Sequence, residues 1–151
     1  MRKNFRKDER GAALLETAIT IPIILLICVG IFEFGRAYQT WQVLTNAARE
    51  GARVSILTDK TDDQVKAAVE NYMKTGGLPC VGGSVPATCR GAAVVNINRN
   101  VTIDGNSGSS ISVDYPFDFI VLNPVVKMVT PTSKTGTPIT MHSIALMRNE
   151  G

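Results

Sequence analysis

Ala12–Ala13–Leu14–Leu15–Glu16–Thr17–Ala18–Ile19–Thr20–Ile21–Pro22–Ile23–Ile24–Leu25–Leu26–Ile27–Cys28–Val29–Gly30–Ile31–Phe32 is a run of 21 residues with a single charge. As a helix it would be roughly 30 Å long, the thickness of a bilayer's hydrocarbon core. The rival reading is a secretory signal, which has an apolar region of about 7–15 residues and then a small-x-small cleavage site. Here the apolar run is longer and passes straight into Glu33–Phe34–Gly35–Arg36. A retained transmembrane helix over 12–34 is therefore expected. Pro22 need not end it, because membrane helices tolerate proline when neighbouring groups satisfy the freed carbonyl.

Charge orients this span. Arg2, Lys3, Arg6, Lys7 and Arg10 precede it, against Asp8 and Glu9, whereas Arg36 alone follows closely. An excess of cations on one flank marks the cytoplasmic side. Residues 1–11 then form a basic cytoplasmic leader, and the chain from about Tyr38 onward faces outward. The whole net charge of +3 resides in that leader. A pI near 8.9 therefore signals topology, and no nucleic-acid partner is expected.

Glu16 needs an explanation. A carboxylate in a lipid-facing segment costs roughly 2.5–3.5 kcal/mol on insertion scales. Two readings account for it. In one it reaches water at the cytoplasmic interface or stays protonated; in the other it meets a positive partner within an assembly. Cleavage of the Gly11–Ala12 bond would create such a partner. The new α-amino group of one subunit could pair with a neighbour's Glu16, each relieving the other's desolvation.

Outside the span the helix is expected to continue over 35–57. Phe34, Tyr38, Trp41, Thr45, Ala48, Ala52 and Ser55 recur at helical spacing, with Tyr38 and Trp41 close to the headgroup level. Ala47/Gly51 and Ala48/Ala52 are small-xxx-small pairs, which permit close approach by another backbone or by the protein's own sheet. Arg49 and Arg53 lie one turn apart and could pair with Glu50 or acidic loops.

Residues 58–151 read as an extracytoplasmic α+β domain. Thr61–Asp62–Asp63–Gln64 is a capping box, the face Val65, Ala68, Val69, Tyr72, Met73 is apolar, and Gly76–Gly77 is a stop. Three strands of a small antiparallel sheet follow. The first alternates Val95, Ile97, Val101 and Ile103, with Arg99 interrupting the apolar face. After a turn cluster at Asp104–Gly108, the second alternates Ile111, Val113, Tyr115, Phe117 and Phe119. Its Pro116 requires an edge or a bulge. The third spans Ile139–Met147. Residues 119–129 fit either a short helix or an extended connection. Cys80 and Cys89 flank a Gly/Pro-rich loop, and outside the cytoplasm a disulfide between them is the expected state. It would contribute on the order of 3 kcal/mol. Zinc would need further ligands, and the single histidine, His142, is distant in sequence.

No constellation for catalysis emerges. His142 has no cysteine or serine motif near it, no glycine-rich phosphate loop is present, and Asp114 and Asp118 would lie about 13 Å apart on one strand. The sequence supports no catalytic, cofactor-binding or metal-binding site, so no enzyme activity and no cofactor are expected.

A basic leader ending in glycine, a glutamate five residues into an apolar run, and a long helix resemble type IV pilins and pseudopilins. More specifically, Arg10–Gly11, Glu16–Thr17–Ala18, Pro22, the stretch Gly30–Arg36 and the stretch Ala47–Arg53 resemble the TadE-like family, and Ile144–Arg148 resembles its last strand. That resemblance covers about residues 10–54. It implies a single-pass accessory component of a Tad (tight adherence) pilus system in the bacterial inner membrane. The implied partners are pilin and pseudopilin subunits, the Tad assembly machinery and, in some members, a prepilin peptidase cutting between Gly11 and Ala12. Thr17 stands where major Tad pilins usually carry tyrosine, which favours a minor component and leaves open whether the leader is removed. The competing reading is a tethered extracytoplasmic binding or adhesion module whose helix is only an anchor.

Overall fold

The computed structural model describes residues 6–57, 59–82, 91–103, 105–121, 123–124 and 139–148. Helix α1 runs over Arg6–Ser55 without interruption at Pro22, so it ends two residues before the sequence suggests. Its 50 residues make a rod roughly 75 Å long. An 18-residue window in this helix has a mean hydropathy of 2.4 and is not buried at all by the rest of the chain. The span therefore meets the length and composition requirements for a single-pass anchor.

Helix α2 runs over Asp62–Thr75. Its capping box is formed as expected: the Gln64 amide donates to the Thr61 hydroxyl and the Thr61 amide to the Gln64 side chain, each at 3.4 Å. The helix stops where the last carbonyls turn to loop donors, Gly76 N–H to Tyr72 and Leu78 N–H to Met73. Gly77 takes the left-handed conformation (φ +81°) that this end requires. Val65, Val69 and Met73 are fully buried, whereas Tyr72 lies at the margin of that face, 41% exposed.

The sheet has strands β1 (Val94–Ile103), β2 (Asn106–Phe117) and β3 (Ile139–Arg148), antiparallel with β2 in the centre. The β1–β2 hairpin closes more tightly than the turn cluster suggests. Ile103 pairs with Asn106, and Gly105 has a φ of +80°, in the left-handed region that glycine enters without steric cost. Pro116 pairs with Thr140 of β3, but β1 pairing ends at Asp114. On that side β2 is an edge at Pro116, which suits a residue without an N–H. Alternate β2 residues Ser109, Ile111, Val113, Tyr115 and Phe117 are buried. They form the core with Leu44, Ala47, Ala48 and Ala52 of α1 and the inner face of α2. Burial pushes the pKa of the Tyr115 hydroxyl up.

Arg99 has a definite task. Between Asn98 and Val101 the β1–β2 register slips, the mark of a bulge. The Arg99 side chain then donates to Asp62 Oδ1 at 2.7 Å, to the Ser55 carbonyl at 3.1 Å and to the Lys60 carbonyl at 2.8 Å. It thus caps the end of α1 and ties it to the start of α2. Arg99→Ala leaves the Ser55 carbonyl, one of the unpaired helix-end acceptors, without its donor. A loss of about 1–2 kcal/mol is expected in urea unfolding of the detergent-solubilised chain. Arg99→Lys should recover little of it, because an ammonium cannot reproduce the planar fork.

Of the remaining sequence expectations, Cys89, the 130–136 loop and residues 125–129 of the ambiguous connection lie outside the described residues. Cys80 is buried beside Val81 and Tyr115 in the core, and the thiol of Cys28 is free and exposed on the span.

Candidate functional site

Two features of α1 stand out, one in its N-terminal half and one where the α+β domain begins. From Gly11 to Phe32 no residue of α1 is buried, and Leu14, Leu15, Ile19 and Ile31 are each at least 60% exposed. The apolar surface goes all round the helix, as a membrane span or an intersubunit helix demands. Glu16 lies on this stretch, exposed, with no hydrogen-bond or ion-pair partner among the described residues. The two hydroxyls nearest it in sequence turn back onto the helix, Thr17 to the Ala13 carbonyl and Thr20 to the Glu16 carbonyl, both at 2.8 Å. Such i−4 bonds satisfy polar groups locally. The carboxylate of Glu16 has no such outlet.

The second feature is at the top of the span. Glu33 is completely buried. Its Oε1 accepts from the Val121 amide at 2.6 Å, and its Oε2 accepts from Arg36 Nη2 at 3.2 Å. Arg36 also donates to the Asp118 carbonyl and lies over the Phe117 ring, 4.5 Å from its centroid, a cation–π arrangement. Phe119 meets Phe117 edge to face at 5.2 Å. Together these contacts clamp residues 117–121 onto α1. A charge that cost energy in a bare span is thereby neutralised and hydrogen-bonded. Sequence reading counted Glu33 and Arg36 only as flanking charges; their i, i+3 spacing was the available signal of an ion pair.

The upper half of α1 faces the protein itself. Ala47, Ala48 and Ala52 have no exposed surface. A Cβ on Gly51 would come within 2.4 Å of Val69 Cγ2 and 3.2 Å of Ile111 Cγ2. The small residues therefore admit α2 and β2, not another subunit. The expected stripe divides: Phe34, Tyr38 and Trp41 are exposed, while Ala48, Ala52 and Ser55 are buried. The buried face instead continues downward through Leu44 and Thr40 to Glu33. Arg53 pairs with Glu50 at 2.6 Å and lowers the Glu50 pKa, but the pair is too exposed to matter much to stability.

Elsewhere, His142 Nδ1 lies 2.5 Å from Asp114 Oδ1 on the outer sheet face, where the two residues are direct cross-strand partners. Among the described residues no group of three His, Cys, Asp or Glu could hold a metal ion. A cleft of about 350 Å³ opens beside the Glu33–Arg36 clamp, lined by residues that include Arg36, Thr40, Cys80, Tyr115, Phe117 and Asp118.

A model of the TadE-like protein family matches residues 11–53. The match takes in the whole exposed span, Glu16, the Glu33–Arg36 pair and the small residues around Gly51, and leaves 54–151 outside it. No curated protein and no solved structure matches the chain.

Proposed function

We propose that this chain, Tad pilus-associated through its TadE-like segment, acts as a minor-pilin-like or pseudopilin-like accessory component that co-assembles through the lower half of α1. The observation that carries the reading is Glu16: a carboxylate on an otherwise apolar helix surface, unpartnered among the described residues. In lipid such a group is costly; beside an ammonium of a neighbouring subunit it is compensated. An α-amino group released by a prepilin peptidase between Gly11 and Ala12 has the right charge, one turn below Glu16. The N-terminus would be cytoplasmic in the inner membrane, with the α+β domain outside, where a Cys80–Cys89 disulfide would close the loop after α2. The proposed role is structural and involves no chemistry.

The test is Glu16→Ala in the full chain. Membrane insertion should be unchanged, because the substitution makes the span more apolar. Recovery with pilin subunits from detergent-solubilised membranes should fall roughly tenfold or more, as removal of a desolvated ion pair demands. Undiminished recovery would remove the basis of the reading. The tethered-module alternative is separated by exchanging residues 1–31 for an unrelated transmembrane helix. A plain anchor tolerates that exchange. The junction must precede Glu33, because a cut at residue 36 would also remove the clamp on residues 117–121.

A further inference from the structure

We infer that residues 119–121 form a second membrane contact, a loop that seats the outer domain on the external leaflet beside the point where α1 leaves the bilayer. The inference rests on the membrane-anchor reading of α1 and goes beyond it. Its first support is position. A helical side chain leans toward the helix N-terminus, so the Glu33 carboxylate lies at or below its own Cα. Because the Val121 amide donates to that carboxylate, Val121 stands level with the last turn of the 12–34 span.

The path of β2 supports the same height. Ile111 would touch a Cβ on Gly51, and the ring of Phe117 lies under Arg36. Six residues of strand descend about 20 Å, and the fifteen helix residues from Gly51 back to Arg36 cover about 22 Å. Strand β2 therefore runs antiparallel to α1 and delivers the following residues to the membrane boundary.

Chemistry is the second support. Ile120 is 60% exposed and Val121 36% exposed, apolar groups that gain nothing from water. Ile31, Phe32 and Phe34, on the turn of α1 at the same height, are exposed as well. Polar backbone groups of the loop are tied down: Val121 N–H to Glu33, and the Asp118 carbonyl to Arg36. A loop entering the interfacial region needs that satisfaction. Tyr38 and Trp41, rings 6.2 Å apart, lie roughly a third of a turn around α1 from this loop and supply amphipathic aromatics on the other side. The occupant of the patch is lipid.

The experiment uses the full chain in vesicles of phosphatidylethanolamine and phosphatidylglycerol, with the single native tryptophan replaced (Trp41→Phe). New tryptophans are introduced one at a time by Ile120→Trp, Val121→Trp, Ile24→Trp and Leu57→Trp. Emission is compared with and without lipids brominated near the headgroup or near the chain end. Ile120→Trp and Val121→Trp should lose emission mainly to the shallow bromines, Ile24→Trp to the deep ones, and Leu57→Trp to neither. Loss at Ile24→Trp without loss at either loop position overturns the second contact alone, with the patch facing water or a neighbouring subunit. No loss at Ile24→Trp overturns the anchor reading and this inference with it.

Discussion

Gly51→Leu should unfold the outer domain at urea concentrations well below those the unaltered chain withstands, a loss of roughly 3 kcal/mol or more. A first side-chain carbon at this position already falls 2.4 Å from Val69 Cγ2 and 3.2 Å from Ile111 Cγ2. Both neighbours are completely buried, and a β-branched valine has little rotamer freedom with which to yield. Helix propensity works in the opposite direction, since replacing glycine by alanine in a helix gains about 1 kcal/mol. The sign of Gly51→Ala therefore decides between packing and propensity, and the contact distance predicts that packing wins. Val69→Ala made together with Gly51→Ala should recover much of the loss, because it removes the methyl that is struck. The check is a double-mutant cycle on the detergent-solubilised chain, followed by urea unfolding and protease resistance. Simple additivity would mean that the two positions do not meet.

Glu33→Ala should release residues 117–121 from α1 while leaving the span inserted. The substitution removes the acceptor of a 2.6 Å charge-assisted bond from the Val121 amide and the counterion of Arg36. A stranded donor and a broken charged hydrogen bond together suggest a loss of about 2–3 kcal/mol. Arg36 is about a third exposed, so water recovers part of its share. Glu33→Gln keeps an oxygen for Val121 and gives up the charge, so its effect should be about half as large. Amide hydrogen exchange of peptides covering 118–121 is the direct measurement. Unaltered protection in Glu33→Ala would show that other contacts hold the segment.

Much of this architecture was legible because its signals are local. The length of the span, the Thr61–Gln64 capping box, the glycine stop after α2 and the alternation in β2 each depend on residues a few positions apart. The contacts less legible in sequence join distant segments. Glu33 and Val121 are separated by 88 positions, and Arg99 reaches Ser55 across 44; no periodicity links such pairs. The stripe from Phe34 to Ser55 shows the same limit. Its spacing is helical throughout, yet the sheet covers only the upper part, so Phe34 and Tyr38 are exposed while Ala52 is buried. Small-xxx-small spacing likewise signals close approach without saying whose backbone approaches. Glu16 was legible as a cost, because a carboxylate in an apolar run is conspicuous whatever the fold.

The unbroken course of α1 has a mechanical consequence. With no joint between the exposed apolar turns and those gripped by the sheet, the helix would act in a bilayer as a stiff lever with its fulcrum at the membrane surface. A lean of about 20° in the buried arm would swing the Ser55 end sideways by roughly 11 Å. Whatever grips the lower arm therefore steers the head.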